Sequence, residues 1–288
     1  MRRAIGPGAL VLAIGLLVWV GGPVLGSTLD ARWQTATATR EPSLTDRLTR
    51  DPRAPLLFVP ASVTRDPRSP ATLVVVLPGL GGSGRDFAAD FVAAAEAGRW
   101  LLLAPSPDYD PRDANESLQN ADLRVDNELM TLIDRALARP GLRIAARVDI
   151  VGFSRGAQSA HRFALRHPER VDALASFSAG TYTMPTSPAE YPLGVGGFEL
   201  WNHLRRFDPV ALRRVRVLVG VGTADANPAD VVRAWDDVGG TTRLERGTRF
   251  AQALTQLGVP TRFQTYAGIG HSFVPAMRDD AIELFAAH

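Results

Sequence analysis

An α/β domain is the fold class this sequence predicts, with a mostly parallel central sheet, helices on both of its faces and a short loop-rich cap. Three observations predict it. From Leu73 onward, short apolar runs rich in β-branched residues alternate with longer segments of helical spacing, the signature of strands joined by covering helices. The runs are continuous rather than alternating, as strands buried on both faces require. No segment recurs at a fixed period, which argues against solenoids and propellers.

The elements follow in order. "PLLFVPASV" (55–63) reads as an early strand. "ATLVVVLPG" (71–79) is a buried strand stopped by Pro78-Gly79, and "RDFAADFVAAAEAG" (85–98) is a helix that ends at Gly98. "RWLLLAPSP" (99–107) is the next strand, and "ADLRVDNELMTLIDRALARPG" (121–141) is an amphipathic helix closed by Pro140 and Gly141. "RVDIVGF" (147–153) and "SAHRFALRHPE" (159–169) make a further strand and helix. The strand "VDALASFSAG" follows, then an irregular cap-like insertion at about 181–209, then the strand "VRVLVGVG". A helix near "RLERGTRFAQALTQLG", the strand "TRFQTYAG" and the helix "PAMRDDAIELFAAH" complete a domain spanning 55–288.

Residues 1–26 differ in kind. Arg2 and Arg3 precede an apolar run, and the small residues Val24 and Gly26 stand before a possible cut, which reads as a secretory signal peptide. A membrane anchor is the alternative, because 4–24 approaches the roughly 20 residues that span a bilayer. Either way the expected location is secreted or extracytoplasmic and membrane-anchored. Residues 27–54, polar and turn-rich, read as a linker leading into an edge element.

Composition narrows the chemistry. At 288 residues and 45% hydrophobic content the chain can bury a large core. Its net charge is only +2, every cation is arginine, and no block of like charge marks a nucleic-acid partner. The absence of cysteine removes disulfides, thiolate nucleophiles and zinc-thiolate sites together.

The chemistry centres on "VDIVGFSRGAQ". Ser154 follows a buried strand and opens a helix, the setting of a nucleophile elbow, and Gly152 and Gly156 sit where a Cβ would block the strand from packing on the helix. A serine hydroxyl needs a base, and the base needs an orienting acid. Of the five histidines, His161 and His167 lie on the helix after Ser154, His203 lies in the irregular stretch, and His288 ends the chain. His271, in the glycine-bounded loop "YAGIGHSF" after the last strand, is the expected base. Asp225 in "TADANPAD" stands at a strand exit and is the expected acid, with Asp208 and Asp230 as competitors. The oxyanion hole is expected from the Arg155 amide and, in "LPGLGGSG", from the Leu80 amide, with Gly81 second. The Arg155 side chain needs a buried carboxylate, expected from Glu128 or Asp126. Tyr182 and Trp201, the leading aromatics of the 181–209 segment, are expected to line a substrate pocket.

With these elements together, the chain resembles the α/β-hydrolase superfamily, and within it the esterase and polyhydroxyalkanoate-depolymerase-like group. The resemblance runs from Leu73 to about Phe285 and rests on "LPGLGGSGRDF", "GFSRGAQ", "GTADANP" and "GIGHS" in combination. Family members commonly carry His-Gly where this chain has Pro78-Gly79. The resemblance implies serine hydrolysis of a small-molecule ester with no metal and no organic cofactor. A peptidase or amidase using the same triad, and a non-catalytic binding protein on a hydrolase fold, are the alternatives.

Overall fold

Strand order and burial reproduce the alternation expected from the sequence. The computed structural model describes residues 34–37, 53–109 and 115–287. The expected signal or anchor at 1–26, most of the expected linker and His288 therefore lie outside the described residues. Among the described residues, eight strands form one sheet: β1 (Gln34–Thr37), β2 (Leu56–Val59), β3 (Thr72–Leu77), β4 (Trp100–Ala104), β5 (Val148–Phe153), β6 (Val171–Phe177), β7 (Arg216–Gly222) and β8 (Thr261–Tyr266). Their spatial order is β1-β2-β4-β3-β5-β6-β7-β8. Only the β2–β4 pair is antiparallel. β1, an edge strand paired with β2, lies inside the segment expected to be linker.

The helices are α1 (Ala61–Arg65), α2 (Gly84–Ala89), α3 (Val92–Gly98), α4 (Asn115–Leu137), α5 (Arg155–Arg166), α6 (Phe198–Trp201), α7 (Pro209–Leu212), α8 (Asp236–Gly239), α9 (Arg243–Gln256) and α10 (Pro275–Ala286). The single helix expected over 85–98 is two, divided at Asp90-Phe91, and α4 starts six residues before the expected Ala121. β3, β4 and β7 bury almost every residue, because both sheet faces are covered. On one face Val74, Val76, Leu102, Val151, Ala175, Phe177 and Leu218 pack against Phe91 and against Met277, Ala281 and Phe285 of α10. α4, α5 and α9 cover the other face.

Two glycines fix the junction of β5 with α5. A Cβ on Gly152 would collide with the Gly156 carbonyl, and a Cβ on Gly156 would collide with the carbonyl oxygens of Leu77 and Pro78. The first turn of α5 thus sits directly on the end of β3. Gly156→Ala is expected to cost at least about 3 kcal/mol, because the obstacles are backbone atoms that no side-chain rotation can relieve. Urea denaturation measures it, and a change below about 1 kcal/mol would show that the junction can yield.

Candidate active site

Ser154 sits between β5 and α5 with φ 54° and ψ −117°, a backbone conformation that a residue with a Cβ rarely adopts. Its amide donates to the Phe177 carbonyl at 2.9 Å, and the adjoining glycines leave no room for a looser turn. The strained turn lifts the hydroxyl clear of the helix it precedes.

His271 and Asp225 come from adjacent strand exits that are bonded to each other. Thr223 N–H donates to the Tyr266 carbonyl and Ala224 N–H to the Ile269 carbonyl, both at 2.9 Å. Gly268 N–H donates to Thr223 Oγ1 at 2.8 Å. Gly268 has φ +71°, a turn that favours glycine, and a Cβ on Gly222 would collide with the Ile269 carbonyl. The exits of β7 and β8 are therefore tied to each other. Across them, His271 Nδ1 lies 2.8 Å from Asp225 Oδ2, and His271 Nε2 lies 2.9 Å from Ser154 Oγ. Because a carboxylate only accepts, Nδ1 carries the proton, which leaves the Nε2 lone pair facing the serine hydroxyl.

Asp225 is buried and His271 is exposed. Burial pushes the Asp225 carboxyl up, but the hydrogen bond and charge of His271 and the neighbouring Arg243 guanidinium outweigh it and hold Asp225 below the ordinary carboxylate range. It stays an anion at neutral pH. Of the competitors, Asp208 caps α7 by accepting from the amides of Val210 and Ala211, and Asp230 is half-exposed. Neither meets a histidine in the described structure.

Two of the other histidines, His161 and His167, have structural partners. His161 is buried, its Nδ1 donating to the Ala157 carbonyl at 2.9 Å and its Nε2 accepting from the Thr183 amide at 3.0 Å. Burial first, and then the charge of Arg162, hold it well below the ordinary histidine range. His167 contacts Asp126 at 3.0 Å.

The loop after β3 reaches the same centre. A Cβ on Gly79 would touch Phe153 and Ser154, which places residues 78–82 beside the elbow. Among the described residues, neither the Leu80 amide nor the Arg155 amide donates to a protein acceptor. The Arg155 side chain is buried, donates to Gln158 Oε1 at 2.7 Å and pairs with Asp122 at 3.4 Å. Its carboxylate is thus Asp122, one helical turn before the expected Asp126 and not Glu128; Asp126 pairs instead with Arg166 and His167.

The aromatic expectation requires correction. Tyr182 is wholly buried, its ring stacked on Phe250 at 4.4 Å and its hydroxyl 3.3 Å from Ser176 Oγ, so it packs the core and lines no opening. Trp201 stacks on Tyr191, and its carbonyl accepts from Arg166 at the far end of α5. Twelve residues of helix separate Ser154 from Arg166, a rise of about 18 Å, so Trp201 belongs to the other end of α5. The 181–209 segment runs along the flank of α5, bonded to it through Arg162–Thr181, Arg162–Thr183 and Arg166–Asn202.

The sequence reading missed the aromatic surface that does stand beside Ser154. Phe153 stacks on His271, with centroids 5.0 Å apart and planes 29° apart. Phe273 meets Phe153 edge-on at 5.9 Å and Phe87 at 4.8 Å. These three rings are half-buried, and the Leu80 side chain nearby is exposed. The available signal was adjacency, since Phe153 precedes the serine and Phe273 lies two residues after the histidine.

The whole architecture has counterparts among solved structures. Poly(aspartic acid) hydrolase-1 from Sphingomonas sp. KT-1 superposes with a TM-score of 0.61 at 20% identity, over 79% of this chain and 91% of that one. The poly(3-hydroxybutyrate) depolymerase LpqC from Bordetella parapertussis gives 0.54 at 22% identity, over 76% and 80%. The chain has the α/β-hydrolase fold. Esterase PE8 shares it with a TM-score of 0.50 at 22% identity, over 76% of this chain and 93% of that one. No family model and no curated protein sequence matches the chain.

Proposed function

We propose that the protein is a serine hydrolase that cleaves carboxylic esters through an acyl-enzyme. The observation that carries this reading is the unbroken chain from Ser154 Oγ through His271 to buried Asp225, at 2.9 Å and 2.8 Å. Ser154 Oγ attacks the ester carbonyl as His271 Nε2 takes its proton, and Asp225 holds His271 in the productive tautomer and stabilises the imidazolium. The amides of Leu80 and Arg155 receive the developing oxyanion. His271 then protonates the leaving alcohol, and water, deprotonated by His271, releases the acid and regenerates Ser154.

An ester substrate with an uncharged acyl or aromatic group fits the apolar surface of Phe87, Phe153, Phe273 and Leu80 better than a charged one. Two structural neighbours are an esterase and a polyester depolymerase by name. A third, named for poly(aspartic acid), favours the second reading, in which the same groups cleave an amide. A matched panel of short neutral esters, aromatic esters, a dianionic ester and the corresponding amides tests the choice. Hydrolysis of neutral esters well above the rest supports the ester reading; amides leading the panel would replace it. Phe273→Ala is expected to change the ranking among acyl groups by about tenfold. An equal loss on every ester would make Phe273 packing alone.

Export with or without a retained anchor is our reading for the N-terminal segment, and it rests on Arg2, Arg3 and the apolar run that follows. Fractionation with N-terminal sequencing of the exported protein tests it, and full-length protein in the cytoplasm would overturn it.

A further inference from the structure

We propose that Arg243 is a positioning residue that fixes the Asp225 carboxylate and sets the pH range over which His271 acts as a base. This rests on the reading of Ser154, His271 and Asp225 as the catalytic groups. Asp225 uses its two oxygens separately: Oδ2 accepts from His271, and Oδ1 accepts from Arg243 Nη1 at 3.0 Å. A carboxylate held by histidine alone can rotate about its last bond. The second donor closes that freedom. Arg243 Nη2 also donates to the Asp230 carbonyl at 2.7 Å, so one guanidinium ties the acid to the turn at 228–230.

The position of Arg243 is otherwise unfavourable. It is the first residue of α9, where the helix dipole opposes a cation and favours an anion such as Glu245. Its side chain is 11% exposed, which removes most of its hydration. A long cation kept nearly dry at the wrong end of a helix is accounted for by what it touches, and it touches Asp225.

The electrical consequence follows from the sign of the charges. Proton transfer from Ser154 makes His271 an imidazolium, which Asp225 stabilises and Arg243 opposes across the carboxylate. Without Arg243 the imidazolium would be favoured over the neutral ring. Other groups face the same centre. Asp230, on the turn after β7, lies 4.0 Å from Arg243, and Arg246, on α9, is paired with Asp236 at 2.9 Å. Tyr182, after β6, feels the Asp225 charge, and burial pushes its hydroxyl up to about 12, so it stays neutral through the range of interest. From the elbow, Phe153 offers only its ring face to His271. Arg243 is thus the one arginine among the described residues that pairs with Asp225.

The test is kcat/KM against pH on one neutral ester for wild type, Arg243→Met, Arg243→Gln and Arg243→Lys. Both neutral variants are expected to move the acid limb up by about one pH unit and to lower the plateau kcat by about tenfold, with KM nearly unchanged. Arg243→Lys retains the charge but offers a point donor in place of a fork, so its acid limb should stay near that of wild type while its plateau falls. Gln keeps one donor and serves if the Met variant does not fold. An acid limb that stays in place in a folded neutral variant overturns the proposal whatever happens to the plateau, as does a Lys variant whose limb moves with the neutral ones. Activity surviving in Ser154→Ala would instead fault the reading of the site, so the two failures are distinguishable.

Discussion

Ser154→Ala is expected to lower kcat/KM on a neutral ester by on the order of 10⁵-fold while leaving the protein folded. The size follows from how the site is assembled. His271 and Asp225 have no covalent chemistry of their own, so without the hydroxyl they can only assist attack by water. What would survive is the contribution of binding and of the Leu80 and Arg155 amides that we propose receive the oxyanion. Folding should survive because the change deletes one oxygen and one hydrogen bond, to His271, an exposed side chain. The strained φ of 54° remains strained in alanine, so no conformational relief follows. Steady-state rates with a thermal melt check both halves. Near-wild-type turnover in a folded variant would end the serine mechanism.

Asp225→Asn has the next largest expected effect, a loss of about 10³- to 10⁴-fold with KM little changed. The amide nitrogen of asparagine can donate to His271 Nδ1, which drives the ring to the tautomer with its proton on Nε2. That proton then faces Ser154 Oγ where a lone pair is required. Asp230→Asn should change the rate little, because Asp230 is half-exposed and meets no histidine. Asp208→Asn should do the same, since asparagine also caps a helix and Asp208 serves only α7. A larger loss at Asp230 than at Asp225 would mean that the acid has been misassigned.

The parts of the fold that could be read from sequence are those governed by local rules. β3 and β7 announce themselves as continuous apolar runs because both of their faces are covered. Ser154 and Asp225 could be singled out because each stands at the exit of a continuous apolar strand, and His271 because it lies in a glycine-bounded loop after the last strand. The groups that were missed are fixed by tertiary packing. Asp122 and Asp126 share one face of α4, and which of them meets Arg155 depends on how far α4 slides along α5, a quantity no local pattern encodes. Arg243 lies 18 residues beyond Asp225 and returns to it across two short 3-10 turns and α8. Tyr182 and Trp201 were visible as an aromatic concentration, but composition does not say which surface a loop will cover. Their rings went to Phe250 and Tyr191 because α5 and α9 needed covering there.

The central claim is that Ser154 is a nucleophile activated through His271, and covalent labelling tests it most directly. Wild-type protein treated with a fluorophosphonate should gain one phosphonyl group, found by peptide mass spectrometry on Ser154. Labelling should disappear in Ser154→Ala and slow by at least about 10³-fold in His271→Ala. An unlabelled wild-type protein, or a label carried by a different serine, would contradict the account.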